Sequence, residues 1–166
     1  MRAIYLIGFM GAGKTTVSQE LARRLNVAVY DTDEEIVKRT GMSINEIFAA
    51  EGEEKFRHYE AEVLRSLPST NAVIATGGGI VGRTGNRLFL KGKRNVVYLH
   101  AELESILARL KEDNSRPLLK QDKMKTAKAL YESRLPLYRE TTEFEIDTSV
   151  KTVQQIVDDI IQCMKK

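Results

Sequence analysis

The chain carries one cysteine, Cys163, so no disulfide can close within it, which suits a reducing compartment. Cys163 falls in the last turns of an expected terminal helix and reads as a small packing residue. The two histidines, His58 and His100, stand far apart, without the spacing of a zinc site, and both read as surface or packing residues. Charge of one sign is lacking too. With 26 Lys and Arg against 23 Asp and Glu, the net charge is only +3, so no nucleic-acid partner is expected. No apolar run is long enough for a membrane span or a secretory leader, the opening residues 1–8 included, so a cytoplasmic protein is expected. There is no internal repeat and no low-complexity linker. The 166 residues suit one domain, 1–166, with an ordinary 42% apolar and 30% charged composition.

Short β-rich apolar runs alternate with helical patterns. Strands are expected at residues 3–7, 27–30, 72–75, 96–99 and 144–146. Their near-continuous hydrophobicity predicts strands covered on both faces, as in a parallel sheet. Helices are expected over 14–25, 34–39, 53–66, 103–112 and 153–164. In the first, Val17, Leu21, Ala22 and Leu25 share one face. Ser43 and Glu46 predict a capping box opening a short helix that Gly52 ends. Five strands joined by helices make a three-layer α/β sandwich around a five-stranded parallel sheet. The charged stretch 113–125, with Pro117, interrupts two helices and reads as a mobile loop.

Residues 8–15, Gly-Phe-Met-Gly-Ala-Gly-Lys-Thr, fit G-x-x-x-x-G-K-[ST] between the first strand and the first helix. Glycines let the backbone turn several N–H groups toward a phosphate array. Lys14 supplies a point charge to the β- and γ-phosphates, Thr15 a hydroxyl to Mg²⁺, and the helix its positive end. Three other features are missing. The chain has neither the Asp-x-x-Gly loop nor the Asn-Lys-x-Asp guanine reader of a GTPase switch, and its third strand runs into Gly77-Gly78-Gly79 instead of a Walker B aspartate. The second strand ends in Asp31-Thr32-Asp33, at the end of a parallel strand where ligands bind. Two carboxylates there can divide their work between metal and acceptor hydroxyl; the competing explanation is a pair of helix-capping aspartates.

The ordered set resembles the shikimate kinase family over nearly the whole length. It comprises the loop Gly8 to Thr16, Asp31-Thr32-Asp33, Phe56-Arg57 with Glu60, Gly77-Gly78-Gly79, Arg116-Pro117-Leu118-Leu119 and Arg134-Leu135-Pro136-Leu137-Tyr138. The resemblance implies a P-loop fold of nucleoside-monophosphate-kinase type with a lid at about 113–125. The implied reaction is ATP-dependent phosphorylation of shikimate to 3-phosphoshikimate with one Mg²⁺, on the route to chorismate and the aromatic amino acids, by a monomer. Gly11, Ala12, Gly13, Lys14, Thr15 and Thr16 would hold ATP, joined by Arg109 and Lys151 near adenine or ribose and by the lid arginine, Arg116. Thr15 would ligate Mg²⁺, and Asp31 would reach it through water. Asp33 would be the general base, with Lys14 and Arg116 as its catalytic partners. Arg57 and Arg134 would clamp the acceptor carboxylate, Gly78 and Gly79 would lie against the acceptor, and Phe48 and Phe56 would line its ring.

These roles have independent physical sense. Guanidinium is the planar fork matched to carboxylate. Arg57 and Glu60 are three apart on a helix, either as a steadied clamp or as an ordinary surface ion pair. Arg134 by spacing alone is equally an exposed helix arginine ahead of a proline. Three successive glycines lose much entropy on folding, which favours a close backbone–ligand approach over an idle turn. The rival readings are a gluconate or other small-sugar kinase of the same fold, and a silent nucleotide-binding module.

Overall fold

Strand β1 (Ile4–Ile7) holds the centre of a five-stranded sheet ordered β2-β3-β1-β4-β5, with β2 (Ala28–Asp31), β3 (Ala72–Ala75), β4 (Val96–His100) and β5 (Phe144–Asp147). Every pairing is parallel. The computed structural model describes residues 1–110 and 123–165. Arg116 and most of the expected lid stretch lie outside them.

Side chains alternate across a strand. Ile4 and Leu6 therefore meet Val17 and Leu21 of α1 (Lys14–Leu25) and Ile156, Val157 and Ile160 of α7 (Val153–Met164). Tyr5 and Ile7 face the other layer, built on α2 (Thr32–Thr40), α3 (Ile44–Ser66), α4 (Thr84–Lys91), α5 (Leu103–Leu110) and α6 (Lys123–Thr141). The expected three-layer sandwich is present. β1, β3 and β4 are buried throughout, as continuous apolar runs predict.

The outer strands depart from that expectation. Ala28 and Val29 of β2 are exposed, as are Glu145 and Asp147 of β5. Each strand has a neighbour on one side only, so an apolar run marks a strand without telling whether both faces are covered.

Helix boundaries follow local chemistry. Gly52, at φ 85° and ψ 169°, leaves the helical region and divides α3 into two segments, where the sequence predicted an end. Ser43 accepts the Glu46 N–H, but the reciprocal capping box is completed at Thr152 and Gln155 instead. α2 starts at Thr32, two residues before the expected start, and α4 was not anticipated. His58 pairs with Glu62 on an exposed helix face, whereas His100 is buried between Tyr98 and Glu102. Cys163 packs half-buried against the α1–α7 core. No described helix is long and apolar enough to cross a membrane.

From β1 the chain builds one side of the sheet with β2 and β3, then the other with β4 and β5. The order therefore reverses beside β1, and ligand crevices of parallel sheets open at the carboxyl ends of strands at such a point.

Candidate active site

The loop between β1 and α1 occupies that crevice. Gly13 caps α1 with φ 92°, a left-handed conformation that a side chain would strain. The first N–H groups of α1 have no intrahelical acceptor and carry the positive end of the helix dipole. Lys14 is buried, its Nζ donating to the carbonyls of Gly8 at 2.5 Å and Phe9 at 2.8 Å, so the ammonium is held across the loop. Arg109 of α5 reaches the same loop, donating to the Gly11 carbonyl. Gly11, Gly13, Lys14, Thr15 and Thr16 line one cleft together with Asp31, Asp33, Thr76, Gly77 and Gly78.

Asp31 has two employments. Its Oδ1 accepts the N–H groups of Asp33 at 2.9 Å and Glu34 at 3.3 Å, capping α2, while Oδ2 accepts the Thr15 hydroxyl at 3.4 Å. The cap is therefore Asp31, and Asp33 sits in the first turn of the helix. Burial, then the nearby Asp33 charge, raises the Asp31 pKa against the hydrogen bonds that lower it. A cation between the carboxylate and the hydroxyl relieves that cost. The donors are hard oxygens, which suit a divalent cation that takes its other ligands from water and phosphate.

A second cleft adjoins the first across Met10, Asp33, Gly77 and Gly78. Phe48 and Phe56 line it, their ring centroids 5.1 Å apart, together with Ile44, Arg57, Glu60, Gly79 and Arg134. Arg57 Nη1 donates to Glu60 Oε1 at 3.1 Å, and Glu60 is 1% exposed, so this is not a surface pair. Burial raises the Glu60 pKa, and Arg57 opposes the rise. Arg134 is 8% exposed, correcting any reading of it as an ordinary exposed helix residue. Its Nη1 and Glu60 Oε2 are buried without a hydrogen-bond partner among the described residues. Burial, with Arg57 nearby, lowers the Arg134 pKa. The cleft thus holds two guanidinium groups, one with a buried donor that lacks a partner among the described residues.

The triglycine turn is steric. A Cβ on Gly77 would lie 2.9 Å from both Asp33 Oδ1 and Glu60 Oε2, and one on Gly79 would lie 2.2 Å from Arg57 Nη1. The turn is also tied to the first residue of α2, because the Thr32 hydroxyl accepts the Gly77 N–H at 2.9 Å. The close approach expected of these glycines is thus, at two of them, an approach to the protein's own charged side chains.

The structure brings Gly11, Gly13, Lys14, Thr15, Thr16, Asp31, Asp33, Arg57, Gly78, Gly79 and Arg134 around two joined clefts, with Arg109 against the loop; Ala12 is buried in the core beneath it. Lys151 lines neither cleft; it pairs with Asp159 of α7 at 2.6 Å. Sequence reasoning gave no role to Thr32, Met10 or Ile44. Thr32 lay inside a quoted motif, and its position between the aspartates was the available signal.

A family model described as shikimate kinase matches residues 10–165. The chain is similar to a shikimate kinase of Bacillus cytotoxicus, 44% identical over 162 residues and 98% of each chain. It is also similar to the solved structure of shikimate kinase from Acinetobacter baumannii in complex with shikimate. That likeness has a TM-score of 0.94 and 41% identity, covering 99% of this chain and 93% of that one. The shikimate kinase from Aquifex aeolicus follows with a TM-score of 0.85 and 38% identity over 98% and 96%. Agreement in sequence over almost the whole chain and in fold has one meaning: the protein belongs to the shikimate kinase family.

Proposed function

We propose that the protein transfers the γ-phosphoryl group of ATP to the 3-hydroxyl of shikimate, giving 3-phosphoshikimate and ADP for chorismate and aromatic amino-acid synthesis. The observation that carries this reading is Arg134. Its buried Nη1 lacks a partner among the described residues, in the same apolar-walled cleft as Arg57. An acceptor carboxylate supplies that partner, and a six-membered ring fills the space against Phe48 and Phe56. The acceptor's hydroxyls then meet Asp33, on the boundary shared with the phosphate cleft.

ATP phosphates are assigned to Gly11, Ala12, Gly13, Lys14, Thr15 and Thr16, with Arg109 and Lys151 toward the nucleoside. Thr15 directly and Asp31 through water would hold one Mg²⁺, which would supply positive charge to the phosphates. Asp33 orients the acceptor hydroxyl and takes its proton. Lys14 draws charge from the transferring group, and Arg116, outside the described residues, is assigned the same task. Gly78 and Gly79 close the acceptor side. Catalysis on this reading is mainly positioning and charge stabilisation, as phosphoryl transfer requires. We assign the chain, 1–166, as one domain with a lid at 113–125, working as a cytoplasmic monomer without nucleic-acid or membrane partners.

Coupled ADP release across shikimate, quinate, gluconate and AMP tests the acceptor. Rapid turnover of shikimate alone is expected. Equal or faster turnover of gluconate or AMP would remove the assignment.

A further inference from the structure

The phenol of Tyr138 has no part in the chemistry above, yet it reaches Gly78 and Arg134, which line the acceptor cleft. Tyr138 is 1% exposed and its hydroxyl donates to the Gly78 carbonyl at 2.5 Å. Its ring is stacked on Tyr98, with centroids 4.9 Å apart and planes at 20°, so the hydroxyl cannot swing away. Burial raises the phenol's pKa, which keeps it a donor across the neutral range. The Gly78 carbonyl and the Gly79 N–H belong to one trans peptide, in which C=O and N–H point in opposite directions. Fixing the oxygen toward α6 therefore turns the Gly79 N–H away from α6. The rest of the turn is pinned by Thr32 on the Gly77 N–H and by the Ile80 N–H on the Gly77 carbonyl, which leaves the following peptide to Tyr138. Arg134 precedes Tyr138 by one helical turn, on the same face of α6.

We infer that Tyr138 is a positioning residue that aims the Gly79 N–H at the bound acceptor, so that one helix sets both the carboxylate clamp and a backbone donor. This deepens the proposed function and rests on shikimate being the acceptor.

Tyr138→Phe deletes the hydroxyl and keeps the ring. The KM for shikimate should rise about tenfold, the worth of one hydrogen bond, while the KM for ATP stays within about twofold. Tyr131→Phe is the matched control: its hydroxyl donates to the Ala101 carbonyl at 2.9 Å from the same helix, outside the acceptor cleft. It should leave the KM for shikimate unchanged. An unchanged KM for shikimate in Tyr138→Phe, an equal rise in both KM values, or the same acceptor defect in Tyr131→Phe would overturn the inference alone. Wild-type enzyme without shikimate-dependent ADP release would overturn the proposed function and this inference together. Should Tyr138→Phe not fold, ¹⁵N-glycine-labelled wild-type enzyme gives the test. The Gly79 amide resonance should move on adding shikimate but not Mg–ADP, and a resonance indifferent to shikimate would overturn the inference.

Discussion

Gly79→Ala isolates the packing of the acceptor clamp. The backbone of Gly79, at φ −90° and ψ 6°, is open to any residue, so alanine introduces no torsional strain there. Its new methyl instead falls 2.2 Å from Arg57 Nη1, 2.6 Å from Cζ and 2.7 Å from Nη2. Ordinary contact is about 3.5 Å, so the guanidinium must retreat by roughly an ångström. It then loses its aim at the acceptor carboxylate and stretches its 3.1 Å bond to Glu60. A hydrogen bond to a charged group is worth about 1.5–3 kcal/mol. The KM for shikimate should therefore rise about 10- to 100-fold, with the KM for ATP unchanged, because the phosphate cleft does not include Arg57. Gly82→Ala is the control, since its methyl would meet nothing within 4 Å. Coupled ADP release with each substrate varied in turn gives both constants. A KM for shikimate within twofold of wild type in Gly79→Ala, or an equal effect in Gly82→Ala, would mean that the Gly79–Arg57 packing does not set acceptor binding.

Arg134→Met fills similar space without a buried charge, so the melting temperature should hold or rise while the KM for shikimate increases about 10-fold or more. Thermal melts and kinetics on one preparation check both halves; a large loss of stability would contradict the burial cost argued for Arg134. Glu60→Gln tests linkage. The folded-state pKa of Glu60 is raised above its usual 4.5, so the folded protein holds this proton more tightly and the group's contribution falls as pH climbs from 4.5 through the raised value. The variant should thus gain stability relative to wild type at neutral pH, and the gain should vanish near pH 4; melts showing the opposite trend would overturn the raised pKa. Asp33→Asn should reduce kcat by about 10² to 10⁴ with Mg–ATP binding intact, whereas Asp31→Asn should show its defect in the Mg²⁺ dependence, read by metal titration. Normal turnover in Asp33→Asn would end the general-base assignment.

Much of this was legible in the sequence because it is locally coded. The phosphate loop is contiguous, and its glycines, lysine and threonine act through their own backbone and side chains, so strand, loop and helix could be read together. The buried strands β1, β3 and β4 were equally plain. What failed depended on neighbours distant in the chain. The apolar run of β2 did not reveal that Ala28 and Val29 border the sheet, because position in the strand order is a tertiary fact. Helix α4, eight residues with Gly85 in its first turn, is held by packing rather than by propensity. Arg134 is an unremarkable helix arginine until α6 is laid against Phe9 and Gly78. The need for glycine at 77 and 79 is set by Asp33, Glu60 and Arg57, from two other helices.

If one acceptor hydroxyl receives the γ-phosphoryl group beside Asp33, phosphorus and proton NMR of a reaction with ATP, Mg²⁺ and shikimate will show it in the product. One new phosphate monoester, on the 3-hydroxyl of shikimate, should form in step with ADP. ADP with inorganic phosphate and unmodified shikimate, or phosphate on another hydroxyl, would rule that transfer out.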